Sequence, residues 1–136
     1  MERNEKTRAL LAAFGCALAY LLAGKALTAV LPQVPEEMSL EAVKELVRIV
    51  HRCAAAPIVE ELVFRGIIQQ LARPLGERQA VALQAVLFAV QHRGPAGMVY
   101  ALVCGLVLGT LRSRTGSVWP GMLLHTLNNL LVFAAG

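Results

Sequence analysis

Residues 54–68 have the sequence AAAPIVEELVFRGII, in which three charged side chains, Glu60, Glu61 and Arg65, interrupt an otherwise apolar run. Charge is costly in such surroundings. An ionised side chain near the centre of a bilayer costs roughly 2.5 to 3.5 kcal/mol on insertion scales, and more on an isolated helix. Three charges within six positions therefore need partners inside the protein. We interpret the cluster as part of a functional site buried in an apolar helix.

The rest of the chain is apolar enough for a membrane protein. Of its 136 residues, 57% are hydrophobic, and the mean hydropathy is +0.59, which exceeds what ordinary soluble domains show. A spanning helix needs roughly 20 residues. We therefore predict one membrane-embedded domain, residues 1–136, with an all-α fold. The expected architecture is a polytopic transmembrane bundle of about five spanning helices plus one amphipathic helix.

Five apolar segments are predicted to span the membrane. They cover approximately residues 10–31, 53–71, 79–91, 96–111 and 117–135. Residues 36–52 instead carry apolar side chains at helical spacing with charged side chains between them, so this segment is predicted to lie in the interface or to cover the bundle. In the fourth span, Gly105 and Gly109 have the spacing that lets two helices approach closely.

The distribution of basic residues indicates an orientation. The net charge of +4 is spread over short segments between helices and forms no basic stripe, so no nucleic-acid partner is expected. If the N-terminus is cytoplasmic, most basic residues fall on the cytoplasmic side, as the positive-inside rule favours. These residues are Arg3, Lys6, Arg8, Arg73, Arg78, Arg112 and Arg114, with Arg93 outside. We expect an integral membrane protein with a cytoplasmic N-terminus.

The charged cluster divides into two roles. Glu61 and Arg65 are four residues apart with the acid first, which is the favourable orientation for a helical ion pair. Glu60 points about 100° away from Glu61 on a helix of 3.6 residues per turn. We predict that Glu61 and Arg65 neutralise each other and leave Glu60 to face a cavity.

Two histidines lie on later apolar helices. His92 follows Phe88 by four residues, so the aromatic ring shares its helical face and fixes the imidazole. His125 lies near the middle of the last span, and Asn128 and Asn129 follow it by three and four residues, close to the same face. An interhelical hydrogen-bonding role would also explain these groups.

Together these side chains form a set that can activate water. Glu60 paired with His92 could remove a proton from water that attacks a carbonyl carbon. His125 and Asn129 could then donate hydrogen bonds to the developing oxyanion. These residues alone leave open which chemistry applies, because Glu60, His92 and His125 also suit zinc with water in the fourth position. The standard His-Glu-x-x-His zinc helix is absent from the sequence.

A family resemblance follows from three motifs in order: Glu60-Glu61-x-x-Phe64-Arg65-Gly66, Phe88-x-x-x-His92 and His125-x-x-x-Asn129. This set resembles the CAAX-protease and bacteriocin-processing family of intramembrane proteases, also called CPBP or Abi proteins, over a core of about residues 53–133. The resemblance implies an all-helical intramembrane endopeptidase. It further implies that Glu60 and His92 activate water, that His125 and Asn129 form an oxyanion hole, and that Glu61, Arg65 and Phe88 support them.

The resemblance also bears on cofactors, partners and location. We favour a glutamate-dependent protease without a cofactor, because a mid-span Glu-His pair needs no metal, and we keep a zinc-dependent protease as an alternative. The expected partners are the lipid bilayer and a membrane-associated protein or peptide substrate, and the expected location is a prokaryotic cytoplasmic membrane. A non-catalytic membrane protein with an immunity or scaffold role is the alternative from another functional class.

Overall fold

The computed structural model describes residues 2–30 and 41–136, and every regular element in this part of the chain is helical. The elements form five continuous helical segments, which we call rods. They are α1 (Glu2–Val30), a rod from Glu41 to Ala72, α5 (Glu77–Ala89), α6 (Gly94–Thr115) and α7 (Trp119–Ala135). The predicted all-α class is confirmed. The predicted end of the first span at Leu31 and the first residues of the amphipathic segment, 36–40, lie outside the described residues.

The second rod changes its hydrogen-bonding register twice. It consists of α2 (Glu41–Val50), a π-helical turn (His51–Ala55), α3 (Ala56–Glu61), a second π-helical turn (Leu62–Ile68) and α4 (Gln69–Ala72). The flanking backbone stays helical, with φ −63° and ψ −48° at Ala55, for example. Pro57 has no N–H to donate to the carbonyl four residues earlier, so the first π turn falls where the α register is already broken.

The outer surface of the bundle is apolar. Two helical segments, Arg3–Ala26 and Gly94–Thr115, are long and apolar enough to cross a membrane, yet only 17% and 22% of their apolar windows are buried. Leu11 on α1 and Leu123 on α7 remain 69% and 74% exposed. Core helices of a soluble protein would bury these surfaces, so the exposed apolar faces fit contact with lipid.

The number of spans stays a prediction. The 13 residues of α5 extend about 20 Å, which is less than the roughly 30 Å of hydrocarbon that a spanning helix must cross. The 17 residues of α7 lie at the lower limit of that range. Two helices thus meet the length and hydropathy requirements within the described residues, whereas a bundle of about five spans is not established.

The amphipathic segment is helical over Glu41–Val50, as predicted. Its charged face carries the ion pairs Lys44–Glu41 at 3.3 Å and Arg48–Glu45 at 2.6 Å. The apolar side chains opposite are more than half exposed, and they are Val43, Leu46, Val47 and Val50. No described element covers this apolar face.

Helices α5 and α6 pack closely through small residues and amide groups. A Cβ on Gly105 would lie 2.9 Å from Cα of Ala85, so only glycine permits this backbone approach. Gln84 Nε2 donates to the carbonyls of Gly105 at 2.7 Å and Val81 at 3.0 Å. The close packing predicted for Gly105 and Gly109 is confirmed, and a buried amide joins the two backbones.

Basic residues gather at one end of the bundle. The Arg73–Glu77 ion pair, at 3.4 Å, joins the end of the second rod to the start of α5, and Ser113 near the end of α6 donates to Glu77. The N-terminal half of α1 reaches the same end, because Arg8 borders a cavity together with Leu71. The basic residues predicted to face the cytoplasm therefore share one end.

Candidate active site

A fully buried ion pair forms the centre of the site. Arg65 Nη1 lies 2.9 Å from Glu61 Oε1, and both side chains are 0% exposed, so the predicted pairing is present. The same carboxylate oxygen lies 3.0 Å from His125 Nδ1 on α7. The Arg65 guanidinium also stacks over the ring of Phe88, 4.6 Å from its centroid. These partners offset the cost of burying the Glu61 carboxylate.

Helix α7 approaches this pair at a glycine. A Cβ on Gly121 would lie 2.6 Å from Glu61 Oε2, which is closer than any real contact. Oε2 itself is buried and has no hydrogen-bond partner in the described part of the chain, and the same holds for Nε and Nη2 of Arg65. The absence of a side chain at residue 121 therefore makes the space that the carboxylate occupies.

Glu60 lies beside this centre and keeps access to the surface. Its side chain is 21% exposed, and its Oε2 lies 3.7 Å from His125 Nε2. That distance is too long for a direct hydrogen bond but allows a strong electrostatic interaction. His125 thus stands between two carboxylates, with Nδ1 toward Glu61 and Nε2 toward Glu60.

His92 lies in the turn after α5 and is held by the helix before it. Its Nδ1 is 3.0 Å from the carbonyl of Phe88, to which it can donate, and its ring packs edge-on against Phe88 with centroids 4.6 Å apart. The Nδ1–H tautomer leaves Nε2 as a hydrogen-bond acceptor. Glu60 lies 3.7 Å from His125, whereas within the described part of the chain no hydrogen bond or ion pair joins Glu60 to His92.

An aromatic chain connects these groups to α1. The Phe88 ring packs against His125 at 5.8 Å and against Phe64 at 5.1 Å, and Phe64 packs in turn against Tyr20 at 5.6 Å. Tyr20 of α1 therefore packs onto the aromatic side of the site. Tyr20 was not predicted as a site residue. Its hydroxyl group is unusual within an otherwise apolar helix, and this feature of the sequence could have identified it.

The two asparagines of α7 have different partners. Asn129 Nδ2 donates to the carbonyl of Arg52, at 3.0 Å, in the first π-helical turn. Asn128 Oδ1 instead accepts a 2.6 Å hydrogen bond from the hydroxyl of Tyr100 on α6. His51 borders a cavity beside Asn129 and is exposed. Neither Tyr100 nor the contact between His125 and Glu61 was predicted from the sequence.

The three side chains of the zinc alternative, Glu60, His92 and His125, have defined partners in this site. Among the described residues, no three histidine, cysteine, aspartate or glutamate side chains are placed so that they could hold a metal ion. Each ring nitrogen of His125 faces a carboxylate, and Nδ1 of His92 is bonded to the backbone. The arrangement suits hydrogen bonding and proton transfer between carboxylates and imidazoles.

Comparison with known proteins identifies one family. The model of the Rce1-like type II CAAX prenyl endopeptidases matches residues 42–131, which is more than half of the chain and includes Glu60, His92, His125 and Asn129. No curated protein and no solved structure matches the chain significantly. Helix α1, with Tyr20, lies outside the matched residues.

Proposed function

We propose that this chain, which belongs to the Rce1-like family of type II CAAX prenyl endopeptidases, uses Glu60 and His92 to activate the water that cleaves its substrate. Membership implies an intramembrane endopeptidase, in agreement with the CPBP resemblance of the motifs. The observation that carries the proposal is the position of His125, 3.0 Å from Glu61 and 3.7 Å from Glu60, inside an apolar bundle.

The proposed reaction begins with proton removal from water. A carboxylate oxygen of Glu60 takes the proton while the water oxygen bonds to the scissile carbonyl carbon, and the carbonyl π electrons move onto oxygen. His92 Nε2 accepts a hydrogen bond from the same water, because Nδ1 is committed to the Phe88 carbonyl. The two side chains thereby orient one water molecule.

The oxyanion is stabilised from α7. Asn129 supplies the amide hydrogen that is not bonded to the Arg52 carbonyl. His125 supplies Nε2–H when both ring nitrogens carry a hydrogen, since Nδ1–H donates to Glu61 Oε1. Collapse of the tetrahedral intermediate breaks the C–N bond, and the leaving nitrogen takes the proton that Glu60 holds. The products are a carboxylic acid and an amine, and the Glu60 carboxylate is regenerated.

The decisive variant is Glu60→Gln, which preserves the side-chain shape but cannot accept the proton. We expect cleavage of a prenylated CAAX peptide in liposomes to fall by about 10²- to 10⁴-fold. Glu45→Gln, at an exposed ion pair, is the matched control and should retain wild-type activity. Full activity of Glu60→Gln would contradict the proposed mechanism.

Two further measurements test the alternatives, a zinc-dependent protease and a non-catalytic membrane protein. Under the glutamate mechanism, activity survives chelation and does not follow zinc content, whereas stoichiometric zinc lost together with activity would favour the metal-dependent protease. To identify the natural substrate, protein termini should be compared between cells that express the wild type and Glu60→Gln. Termini that do not differ would favour the non-catalytic immunity or scaffold role.

We further propose that the basic end of the bundle faces the cytoplasm of a prokaryotic cell. This orientation follows from the gathering of basic side chains around Arg73 and the N-terminal half of α1 at one end. A reporter enzyme active only in the cytoplasm, fused before α1, should be active. Activity of a periplasm-specific reporter at that position would reverse the orientation.

A further inference from the structure

The cavity beside His125 contains the neighbour of the motif asparagine. This cavity, of about 170 Å³, lies between α6 and α7, and its polar lining comes from His125 and Asn128. Its other lining residues are Val103, Cys104, Val107, Leu108 and Leu124. Asn129 instead borders a separate cavity with His51 and Arg52. Asn128, and not Asn129, therefore lines the same cavity as His125.

Tyr100 sets the orientation of the Asn128 carboxamide. The Tyr100 hydroxyl donates to Asn128 Oδ1 at 2.6 Å across the α6–α7 interface. Because the carboxamide is planar, holding its oxygen also directs its nitrogen. Asn128 Nδ2 carries two hydrogens, and its described bond, to Asn129 Oδ1, has the long distance of 3.5 Å. A hydrogen of Nδ2 is thus available to a group that enters the cavity.

Asn129 is more strongly committed to the protein. Its Nδ2 bond to the Arg52 carbonyl measures 3.0 Å and ties α7 to the first π-helical turn. One amide hydrogen of Asn129 is therefore bonded to the backbone carbonyl of Arg52. Asn129 thus ties α7 to the second rod and keeps one amide hydrogen for the oxyanion, whereas the Asn128 carboxamide lines the cavity of the imidazole.

From this geometry we propose that Asn128 Nδ2 donates a hydrogen bond to the substrate oxyanion together with His125, and that Tyr100 positions Asn128. The proposal rests on the proposed function and adds a catalytic residue that the His125-x-x-x-Asn129 motif does not include. It also places the oxygen of the scissile carbonyl beside His125 and Asn128, where they line the apolar cavity between α6 and α7. The substrate it fits is a peptide segment with apolar residues beside the cleaved bond.

A purely structural role for the Tyr100–Asn128 bond makes a different prediction. Interhelical hydrogen bonds in membranes contribute modestly to stability. Loss of a purely structural bond would lower the amount of folded protein, and its effect on cleavage would be the same whichever atom replaced the scissile carbonyl oxygen. An oxyanion donor acts on one substrate atom. Replacing the scissile carbonyl oxygen by sulfur, a weaker hydrogen-bond acceptor, therefore separates the two roles.

The test compares a prenylated CAAX peptide with its thioamide counterpart at the cleaved bond, in liposomes, with kcat per folded protein. We expect Asn128→Ala to lower kcat on the oxo peptide by about 10²- to 10³-fold, with KM nearly unchanged. Tyr100→Phe should lower kcat by about 10-fold, because Asn128 stays but loses its orientation. On the thioamide peptide both losses should shrink to a few fold. Thr126→Ala on the same helix is the control.

Equal losses on both peptides, or an oxo-peptide kcat within a few fold of wild type for Asn128→Ala, would overturn the proposal. Tyr100→Phe keeps the ring and removes only the hydroxyl, so it remains informative if the alanine variant folds poorly. Glu60→Gln separates this inference from the general mechanism. If Glu60→Gln is inactive while Asn128→Ala is active, only the Asn128 role fails, whereas an active Glu60→Gln contradicts the proposed function itself.

Discussion

Two helix contacts in this bundle are built alike and differ in one respect. Between α5 and α6, the buried amide of Gln84 donates to the backbone carbonyl of Gly105, 2.7 Å away. Between α3 and α7, the buried carboxylate of Glu61 lies against Gly121. Each contact combines a glycine with a polar side chain from the facing helix. The first polar group is neutral and bonds to backbone, whereas the second is ionisable and bonds to His125.

The difference distinguishes polar groups that only stabilise helix packing from polar groups that can take part in proton transfer. A neutral amide that bonds to carbonyls stabilises one packing of the two helices and does not act as an acid or a base near neutral pH. A carboxylate that faces an imidazole costs more to bury and keeps groups that can move protons. We therefore expect changes at Gln84 and Gly105 to affect stability, and changes at Gly121 to affect activity.

The largest expected effect is on the stability of the charged contact. Glu61→Gln leaves Arg65 buried without its counter-charge, which should lower the free energy of unfolding by about 3 to 5 kcal/mol. Denaturant unfolding in detergent micelles measures this change. Glu45→Gln, whose ion-pair partner Arg48 is exposed, should cost no more than about 1 kcal/mol. Similar losses for the two variants would mean that burial does not distinguish the pairs.

Gly121→Ala should separate activity from stability. The added Cβ would lie 2.6 Å from Glu61 Oε2, so the carboxylate must rotate. Rotation keeps the negative charge beside Arg65, so the loss of stability should stay below that of Glu61→Gln. His125 would then lose its 3.0 Å contact, and cleavage should fall by about 10²-fold, as for removal of one oxyanion donor. Peptide cleavage per folded protein is the measurement, and wild-type activity would refute the role of this glycine.

Gly105→Ala should have the opposite result. Its Cβ would lie 2.9 Å from the backbone Cα of Ala85, so the two helices must separate. We expect a loss of about 1 to 3 kcal/mol in unfolding free energy, typical of overpacking, with nearly normal cleavage per folded molecule. Gly97→Ala, on the same helix with open space around it, is the control and should change neither quantity.

The smallest expected effect concerns the neutral amide itself. Gln84→Met keeps the side-chain volume but removes the hydrogen bonds to Gly105 and Val81. The unfolding free energy should fall by about 0.6 kcal/mol, and by no more than about 1.7 kcal/mol. Gln79→Met, at an exposed position of α5, is the control. A marked loss of cleavage in Gln84→Met would show that the two contacts are not independent.

Local spacing was enough to predict several of these features. The Glu61–Arg65 ion pair follows from a separation of four residues on one helix, and the α5–α6 approach follows from the spacing of Gly105 and Gly109. The amphipathic helix over Glu41–Val50 follows from its periodicity. Each feature depends on residues within one or two helical turns, whose relative positions the helix itself determines.

Contacts between distant helices were less accessible to sequence analysis. The bond between His125 and Glu61 joins residues 64 positions apart, and it depends on how α7 packs at Gly121. The Asn129 bond to the Arg52 carbonyl depends on the backbone path of a π-helical turn. The approach of Tyr20 depends on how α1 docks through its buried alanines, which recur every four residues along the helix.

The first π-helical turn, His51–Ala55, has a consequence for how this chain tolerates changes in length. Deletion of one residue within the turn would allow an ordinary α-helical register and would rotate α2 by about 100° relative to α3. The Arg52 carbonyl would then point away from Asn129 although every side chain of the site was retained. The spacing between the amphipathic helix and Glu60 is therefore as strict a requirement as the identity of the residues themselves.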